Sequence, residues 1–285
     1  MKVKYSLIGV VVVFAAGLLF VVSSEAKIAP EHIAGMWLFD EDEDDIAEDS
    51  SGNGNTGKLI NGPKWDDGKF GAALEFDGGT TYVNCGNGLS LDITEELTVV
   101  AWVKFNAVDY KNGTGNLFTI AAKGNPDRDV PNSGWWFSHD NRNNGQGFNY
   151  TCFGNKNGGW AGGGNNLSGC NFQFTKGEWY HIAITVGESI GKMYVNGTQL
   201  GAGKPFANLV LSDTSTDLSI GRNMLKGAYY FNGLIDEVAI FNVALEQEDI
   251  QDIMNKGLER ASGLTAVSAA GKFSVTWGRI KCALE

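Results

Sequence analysis

The chain has 285 residues, of which 22 are Lys or Arg and 33 are Asp or Glu, so its formal net charge is −11 at pH 7. An acidic surface of this kind repels phosphate backbones, which argues against a nucleic-acid partner. The length fits one large β domain or two small ones, and 39 glycines against 5 prolines fit a chain with many turns.

Residues 1–26 have the order of a secretory signal peptide. Lys2 and Lys4 precede an apolar run over residues 5–22, and Ser24 and Ala26 are the small residues before a cleavage site. An uncleaved anchor is the alternative, because the run is nearly long enough to span a bilayer. Both outcomes predict a secreted, cell-surface or periplasmic protein, and no later segment is apolar enough to cross a membrane.

Short apolar runs between turn signals predict the strands in chain order. They cover residues 35–40, 72–76, 81–84, 97–105, 117–123, 147–153, 179–186, 192–195, 217–221 and 233–241. Asn196-Gly197 lies between two of these runs and indicates a tight hairpin. Many short strands with Gly-rich turns predict an all-β fold, a sandwich or a jelly roll.

One short helix follows the strands near the C-terminus. Ile250, Ile253, Met254 and Leu258 recur at helical spacing, and Lys256-Gly257 is expected to end the helix. Its single apolar stripe predicts that it packs on the sandwich. Residues 263–285 are interpreted as a C-terminal tail that contains one further apolar piece, residues 273–278.

Seven segments, in this order, resemble the laminin-G-like jelly-roll domains of the concanavalin A-like lectin/glucanase superfamily in their bacterial secreted form. They are GMWLFD (35–40), DSSGNGNTG (49–57), GAALEFDG (71–78), LTVVAWVK (97–104), EWYHIA (178–183), KMYVNG (192–197) and GLIDEVAIF (233–241). The resemblance implies one domain over residues 27–262, with two antiparallel sheets packed face to face. It also implies binding of glycans or proteins, often with calcium.

Calcium is expected to have a structural role. The stretch 49–55 is rich in Asp and Asn oxygens, which are ligands that calcium takes, although the same residues also suit an ordinary turn. Together with the resemblance, this gives five candidate calcium ligands: Asp40, Asp49, Asn55, Asp77 and Asp236.

Two groups of acidic residues are candidates for catalysis. Asp236 and Glu237 are neighbours in a predicted strand, so strict alternation would point them to opposite faces, unlike the paired carboxylates of a glycosidase. A framework role is favoured for this strand, with calcium binding as the alternative. Residues 43–48 match the spacing E-x-D-x-x-E of glycosidases, but eight of the ten residues 40–49 are acidic, which favours a solvated loop or a cation site.

The region 109–168 is rich in Asn, Gly and aromatic residues, and loops of this kind often carry function. Aromatic rings can lie against the apolar face of a sugar while polar groups bind its hydroxyls. The candidate ligand-binding residues are Trp135, Trp136, His139, Asp140, Arg142, Tyr150 and Trp160. Core packing is the alternative for the tryptophans, and it is expected for Trp37, Trp102 and Trp179. His181 is expected to be packed or hydrogen-bonded within its strand.

Four cysteines occur outside the signal peptide. In an oxidising compartment Cys152 and Cys170 are predicted to form a disulfide that closes a local loop. Cys85 and Cys282 could pair or stay free. No C-x-x-C spacing occurs, so a zinc site is not predicted.

The leading hypothesis is a secreted, non-catalytic domain that binds a polysaccharide or a glycoprotein with the support of calcium. The second is a cell-surface adhesion component that binds protein through its tail. The third and weakest is a polysaccharide hydrolase or lyase. The oligomeric state is left open.

Overall fold

The computed structural model describes residues 28–42, 45–108, 117–124, 133–140, 148–156, 165–166, 172–213, 215–223 and 229–264. Its strands are β1 (Ile33–Trp37), β2 (Ile46–Ala47), β3 (Gly57–Ile60), β4 (Lys64–Asp67), β5 (Ala72–Asp77), β6 (Tyr82–Asn84), β7 (Leu97–Phe105), β8 (Leu117–Gly124), β9 (Gly134–Asp140), β10 (Phe148–Asn155), β11 (Asn165–Asn166), β12 (Trp179–Gly187), β13 (Ile190–Val195), β14 (Thr198–Gln199), β15 (Lys204–Pro205), β16 (Leu209–Val210), β17 (Ser219–Ile220) and β18 (Asn232–Phe241). The helices are α1 (Gln247–Lys256) and α2 (Leu258–Ala261), with 3₁₀ turns at Pro30–His32 and Leu89–Leu91.

Among the described residues the strands form two antiparallel sheets. The first sheet has the order β14-β13-β12-β7-β18-β5-β4, with β1 beside β18 and β15 beside β13. The second sheet has the order β11-β10-β9-β8-β17-β6-β3-β2, with β16 beside β10. The sheets stack face to face, as in a jelly-roll sandwich, so the prediction of an all-β fold with a short C-terminal helix is confirmed.

The main core lies between the inner faces of the two sheets. In β7, the residues Val99, Ala101 and Val103 point into this core, because alternate residues of a strand share a face. Residues from the second sheet, such as Val83 and Phe137, close the core from the other side. Trp37 is fully buried here, as expected.

A smaller core covers the outer face of the first sheet. Ile250 and Ile253 of α1 pack there against Val100 of β7. A capping box between Glu246 and Asp249 begins the helix. Within the described ranges no helix is long and apolar enough to span a bilayer.

Several elements differ from the sequence-based expectation. The short strands β2, β3, β4, β11, β15 and β16 do not occur among the predicted strands. β1 begins and ends earlier than predicted, since Leu38–Asp40 leave the sheet. β9 lies in the part of the region 109–168 for which the sequence predicts a loop, because its two adjacent tryptophans and polar neighbours show no strand pattern. Leu258, expected in the single helix, begins a second short helix after Gly257, whose φ of 81° interrupts α1.

Candidate functional site

The outer face of the second sheet carries a continuous row of side chains. Asn84 of β6 is opposite Ser219 of β17, Ser219 is opposite Ala122 of β8, and Ala122 is opposite Trp136 of β9. Their neighbours in sequence, such as Val83 and Phe137, point into the core. Of these four residues, Ser219, Ala122 and Trp136 are buried, and Asn84 is half-exposed.

Arg222 lies at one end of this row and contacts two tyrosines. Its guanidinium carbon is 4.5 Å from the ring centroid of Tyr82 and 5.5 Å from that of Tyr230. The backbone carbonyl of Arg222 accepts a 2.6 Å hydrogen bond from the hydroxyl of Ser219, which fixes the start of the loop after β17. All three interacting side chains are half-exposed, so the group is open to solvent. We call Tyr82, Arg222 and Tyr230 the arginine–tyrosine cluster.

Polar groups adjoin the cluster on the same face. The amide of Asn84, two residues after Tyr82, donates a 3.0 Å hydrogen bond to the carboxylate of Asp217. Both side chains are half-exposed. The surface thus combines flat rings, a guanidinium with several donors, an amide and a carboxylate.

Trp136 lies further along the row under a tyrosine. The ring of Tyr229 is 5.3 Å from that of Trp136, which is only 1 % exposed. The indole N–H donates to the hydroxyl of Thr119 at 2.9 Å. Trp136 therefore supports the surface from beneath, and Tyr229 is the ring that reaches solvent.

Two of the predicted ligand-binding residues lie on the inner face of β9. Trp135 faces the main core and is 1 % exposed. His139 lies among Phe105, Phe118 and Phe174, with its ring centroid 4.8 Å from that of Phe174. Both face inward because they alternate with Trp136 and Ser138 along β9. A ligand-binding role for these two residues stays a prediction.

The other predicted binding residues have different outcomes. Asp140 ends β9 on the outer side and is 7 % exposed. Tyr150 belongs to β10, where its backbone is opposite that of Ser138, and its binding role stays a prediction. Arg142 and Trp160 lie outside the described residues, and their roles stay predictions. Trp179, expected in the core, is half-exposed and has the ammonium of Lys104 at 4.9 Å from its ring.

Sequence reasoning missed the arginine–tyrosine cluster. Tyr82 and Arg222 are far apart in the chain, and only the pairing of β6 with β17 brings them together. One local signal was available, the adjacent pair Tyr229-Tyr230 just before β18. Two neighbouring aromatic residues at a strand entry could have indicated an exposed ring surface.

The five predicted calcium ligands lie in three separate places. Asp49 accepts hydrogen bonds from the backbone N–H groups of Met36, Ser51 and Asn55, and from the side chain of Asn55. These contacts make the stretch 49–55 a loop that closes the free edge of β1. The carboxylate is already used by protein donors, as in an ordinary Asp turn.

Asp77 forms a second, independent turn. It accepts hydrogen bonds from the N–H groups of Gly79, Thr80 and Thr81, with distances of 2.8 to 3.0 Å. Burial opposes ionisation, but these N–H donors prevail and hold the pKa of Asp77 below its usual value. In the described part of the chain no group of three or more His, Cys, Asp or Glu side chains could hold a metal ion. The five residues therefore do not fit a single calcium site.

Asp40 and Asp236 occupy the third place, at the hairpin between β4 and β5. Asp40 accepts a 3.0 Å hydrogen bond from Ala72 N, and Asp236 accepts from Lys69 N at 2.7 Å and Phe70 N at 3.0 Å. The other oxygen of Asp236, Oδ1, is buried without a partner. Burial, with the charge of Asp40, raises the pKa of Asp236 to about 7.

Glu237 corrects the expectation that the two neighbouring acids face opposite sides. The register with β7 shifts between Asp236 and Ala239, and Glu237 has a φ of 50°. The irregularity turns Glu237 to the outer face, where it accepts the backbone N–H of Leu258 at the start of α2. Burial raises its pKa to about 8, and the charge of Asp236 adds to the effect. The two acids thus hold the hairpin and the helices, in agreement with a framework role.

The cysteine predictions are only partly within the described residues. Cys85 is unpaired and 2 % exposed, and burial raises the pKa of its thiol well above the usual value. Cys152 is placed in β10, opposite Asn166, whereas Cys170 and Cys282 lie outside the described residues. The Cys152–Cys170 disulfide stays a prediction.

Several known structures have the same fold. Domain 4 of AbnA, an extracellular arabinanase from Geobacillus stearothermophilus solved in complex with arabinotriose, is 21% identical, with a TM-score of 0.58, covering 78% of this chain and 98% of that domain. The binding domain of Paraclostridial Mosquitocidal Protein 1 is 16% identical, with a TM-score of 0.56 and coverage of 79% and 52%. The binding domain of botulinum neurotoxin DC, in complex with rat synaptotagmin II, is 14% identical, with a TM-score of 0.55 and coverage of 80% and 52%.

The chain spans about half of each toxin binding domain and nearly all of the arabinanase domain. At these identities the likeness shows the fold alone. No curated protein sequence matches the chain. Residues 77–251 match the Laminin_G_3 family. With its two-sheet jelly roll, the chain belongs to the Laminin_G_3 family of the concanavalin A-like lectin/glucanases superfamily.

Proposed function

We propose that this domain is a secreted, non-catalytic module that binds the glycan of a polysaccharide or glycoprotein on the outer face of its second sheet. The observation that carries the proposal is the arginine–tyrosine cluster, in which Arg222 lies 4.5 Å from the ring of Tyr82 and beside Tyr230 in a half-exposed position. A partly exposed Arg beside two aromatic rings is typical of a recognition surface.

The chemistry of this surface suits a sugar. A tyrosine ring offers a flat apolar face for the C–H groups of a pyranose or furanose, and its hydroxyl can bind a polar neighbour. Arg222 supplies N–H donors, while Asn84 and Asp217 supply a donor and acceptors within the same face. Stacking against Tyr82 and Tyr230 restricts the Arg222 side chain, so binding orders it at a lower entropic cost.

The similarity to the arabinanase domain supports a carbohydrate ligand, because that domain was solved with arabinotriose. Calorimetric titration with a panel of oligosaccharides, including arabino-oligosaccharides, tests the proposal directly. We expect at least one glycan to bind and Tyr230→Ala to weaken that binding. Absence of binding to every glycan in the panel would refute the proposal. Release of reducing ends in the same incubations would contradict the non-catalytic part.

A protein partner is the second candidate, favoured by the likeness to a toxin binding domain in complex with synaptotagmin II. Enzymatic removal of the glycans from a captured glycoprotein distinguishes the two candidate partners. Loss of capture supports recognition of its glycan, whereas unchanged capture supports recognition of its polypeptide.

We propose calcium binding only at the site formed by Asp40 and Asp236, beside the hairpin between β4 and β5. There a buried carboxylate oxygen lacks a partner, and a second carboxylate acts on it electrostatically. A cation at this site would favour the charged form of both groups and stabilise the hairpin between β4 and β5. Asp49, Asn55 and Asp77 have no part in it, since they hold their own turns.

A further inference from the structure

A groove lies next to the last described residues, on the outer side of the first sheet. The arginine–tyrosine cluster lies on the other sheet. The groove has a volume of about 540 Å³ and is lined by Met36 and Leu38 at the end of β1 and by Leu264 after α2. Leu38 and Leu264 are half-exposed at the margin of the core under the helices. The floor is therefore apolar and extends an existing core toward solvent.

The rim of the groove is acidic. Glu48 and Asp49 line it from the loop after β2, and Glu259 lines it from α2. Asp49 is held in place by the N–H groups of Met36 and Ser51, so one edge of the groove is fixed by hydrogen bonds. An occupant that combines apolar and basic residues would complement this groove.

Residues 265–285 have that composition. Lys272, Arg279 and Lys281 are basic and Glu285 is the one acid, which gives a formal charge of +2 (three minus one). Between the basic residues, Phe273, Val275 and Trp277 alternate with Ser274 and Thr276, so in an extended segment the three apolar side chains share a side.

The short chain between Leu264 and this segment keeps the segment close to the groove. Leu264 itself lines the groove, and Phe273 follows it nine positions later in the chain, a distance of up to about 30 Å when extended. A tether this short gives an effective concentration of about millimolar, well above that of a second copy in solution.

We propose that residues 272–281 bind in this groove of their own chain, with Phe273, Val275 and Trp277 against Leu38 and Leu264 and the basic residues at the acidic rim. The segment then covers the margin of the core under the helices, and the groove is occupied in the folded domain. This assigns the tail an intramolecular role, independent of the glycan surface.

Trypsin digestion of the folded full chain tests the proposal, because Lys272, Arg279 and Lys281 provide cleavage sites within the segment. Mass spectrometry measures the rate of cleavage after each of these three residues separately from cleavage elsewhere in the chain. We expect slow cleavage in the unsubstituted chain, and cleavage about tenfold faster or more in Leu38→Glu and in Trp277→Ser. Trp277→Ser leaves every groove residue intact, so it decides the matter if Leu38→Glu is too unstable to fold.

Ile190→Glu is the matched control, because Ile190 is 40 % exposed on β13, at the opposite end of the first sheet. We expect it to leave the tail bonds protected. Equal rates in the unsubstituted chain and in Trp277→Ser would overturn the proposal. Protection that is lost on dilution, together with a dimer in sedimentation, would also overturn it, since the tail of a second copy would then fill the groove.

Discussion

The guanidinium carbon of Arg222 lies 4.5 Å from the ring centroid of Tyr82, although 139 residues separate them in sequence. The pairing of β6 with β17 makes this contact possible, because Asn84 and Val83 are opposite Ser219 and Ile220. Stacking on a tyrosine ring holds the planar guanidinium against the sheet. The contact with Tyr82 therefore attaches the half-exposed guanidinium of Arg222 to the rigid sheet.

Arg222→Ala is expected to weaken glycan binding by about tenfold or more, equivalent to ~1.4 kcal/mol. The substitution removes both the N–H donors and the support of Tyr82 and Tyr230. Calorimetry with the best glycan of the panel measures the loss. Lys104→Ala is the matched control, since it removes a similar contact, between Lys104 and Trp179, on the first sheet. Equal losses in both variants would argue against a specific role of Arg222.

Asp49→Ala is expected to destabilise the domain by about 2–4 kcal/mol, because several N–H groups at the edge of β1 lose their acceptor. Denaturant unfolding followed by tryptophan fluorescence measures the change. Asp45→Ala, an exposed acid in the same stretch, is expected to change the free energy of unfolding by less than about 0.5 kcal/mol. A small effect of Asp49→Ala would show that the loop at residues 49–55 does not close the edge.

His181→Phe is expected to make the domain less sensitive to acid. His181 is fully buried against Trp102, its ring nitrogens lack hydrogen-bond partners, and burial lowers its pKa to about 3. The unfolded chain binds this proton near pH 6.5, so the folded state loses stability as the pH falls from about 6.5 toward 3. Phe cannot be protonated and keeps the ring contact.

The measurement is the free energy of unfolding at pH 7 and at pH 4.5 for both proteins. We expect the difference between the two pH values to shrink in His181→Phe and to persist in His32→Gln, which changes a half-exposed histidine. The same acid sensitivity in His181→Phe would assign the effect to other groups.

Millimolar calcium is expected to raise the melting temperature by about 2–6 °C, and chelation to reverse the rise. Asp236→Asn should abolish this response, because it removes the charge of the buried carboxylate at the proposed site. Asp77→Asn should retain the response even though its turn is weakened, since Asp77 lies at the other end of β5. A response that survives Asp236→Asn, or none at all, would rule out this site.

The long strands could be predicted because their residues alternate or are uniformly β-forming. β7 and β12 follow the predicted bounds almost residue for residue, and the hairpin at Asn196-Gly197 joins β13 to β14. β9 could not be recognised, because Trp135 and Trp136 are buried on opposite faces and the segment shows no apolar alternation.

The candidate site was less predictable than the fold. Residue type suggested the tryptophans of β9, but strand parity places Trp135 in the core and Tyr229 covers Trp136. The turn of Glu237 toward the helices depends on a backbone irregularity with a φ of 50°, which follows from its contact with Leu258 and not from the local residues. Contacts between segments that are distant in sequence decide both the burial of the tryptophans and the direction of Glu237.

The position of Cys85 has a practical consequence. A thiol reacts with alkylating reagents through its thiolate, and the raised pKa of Cys85 suppresses that form in the native state. Its side chain is also only 2 % exposed, which keeps reagents away from the sulfur. Its side chain belongs to the core between the sheets, so a maleimide reaches it only when the two layers separate. The rate at which this sulfur atom is labelled therefore measures how often the two sheets separate.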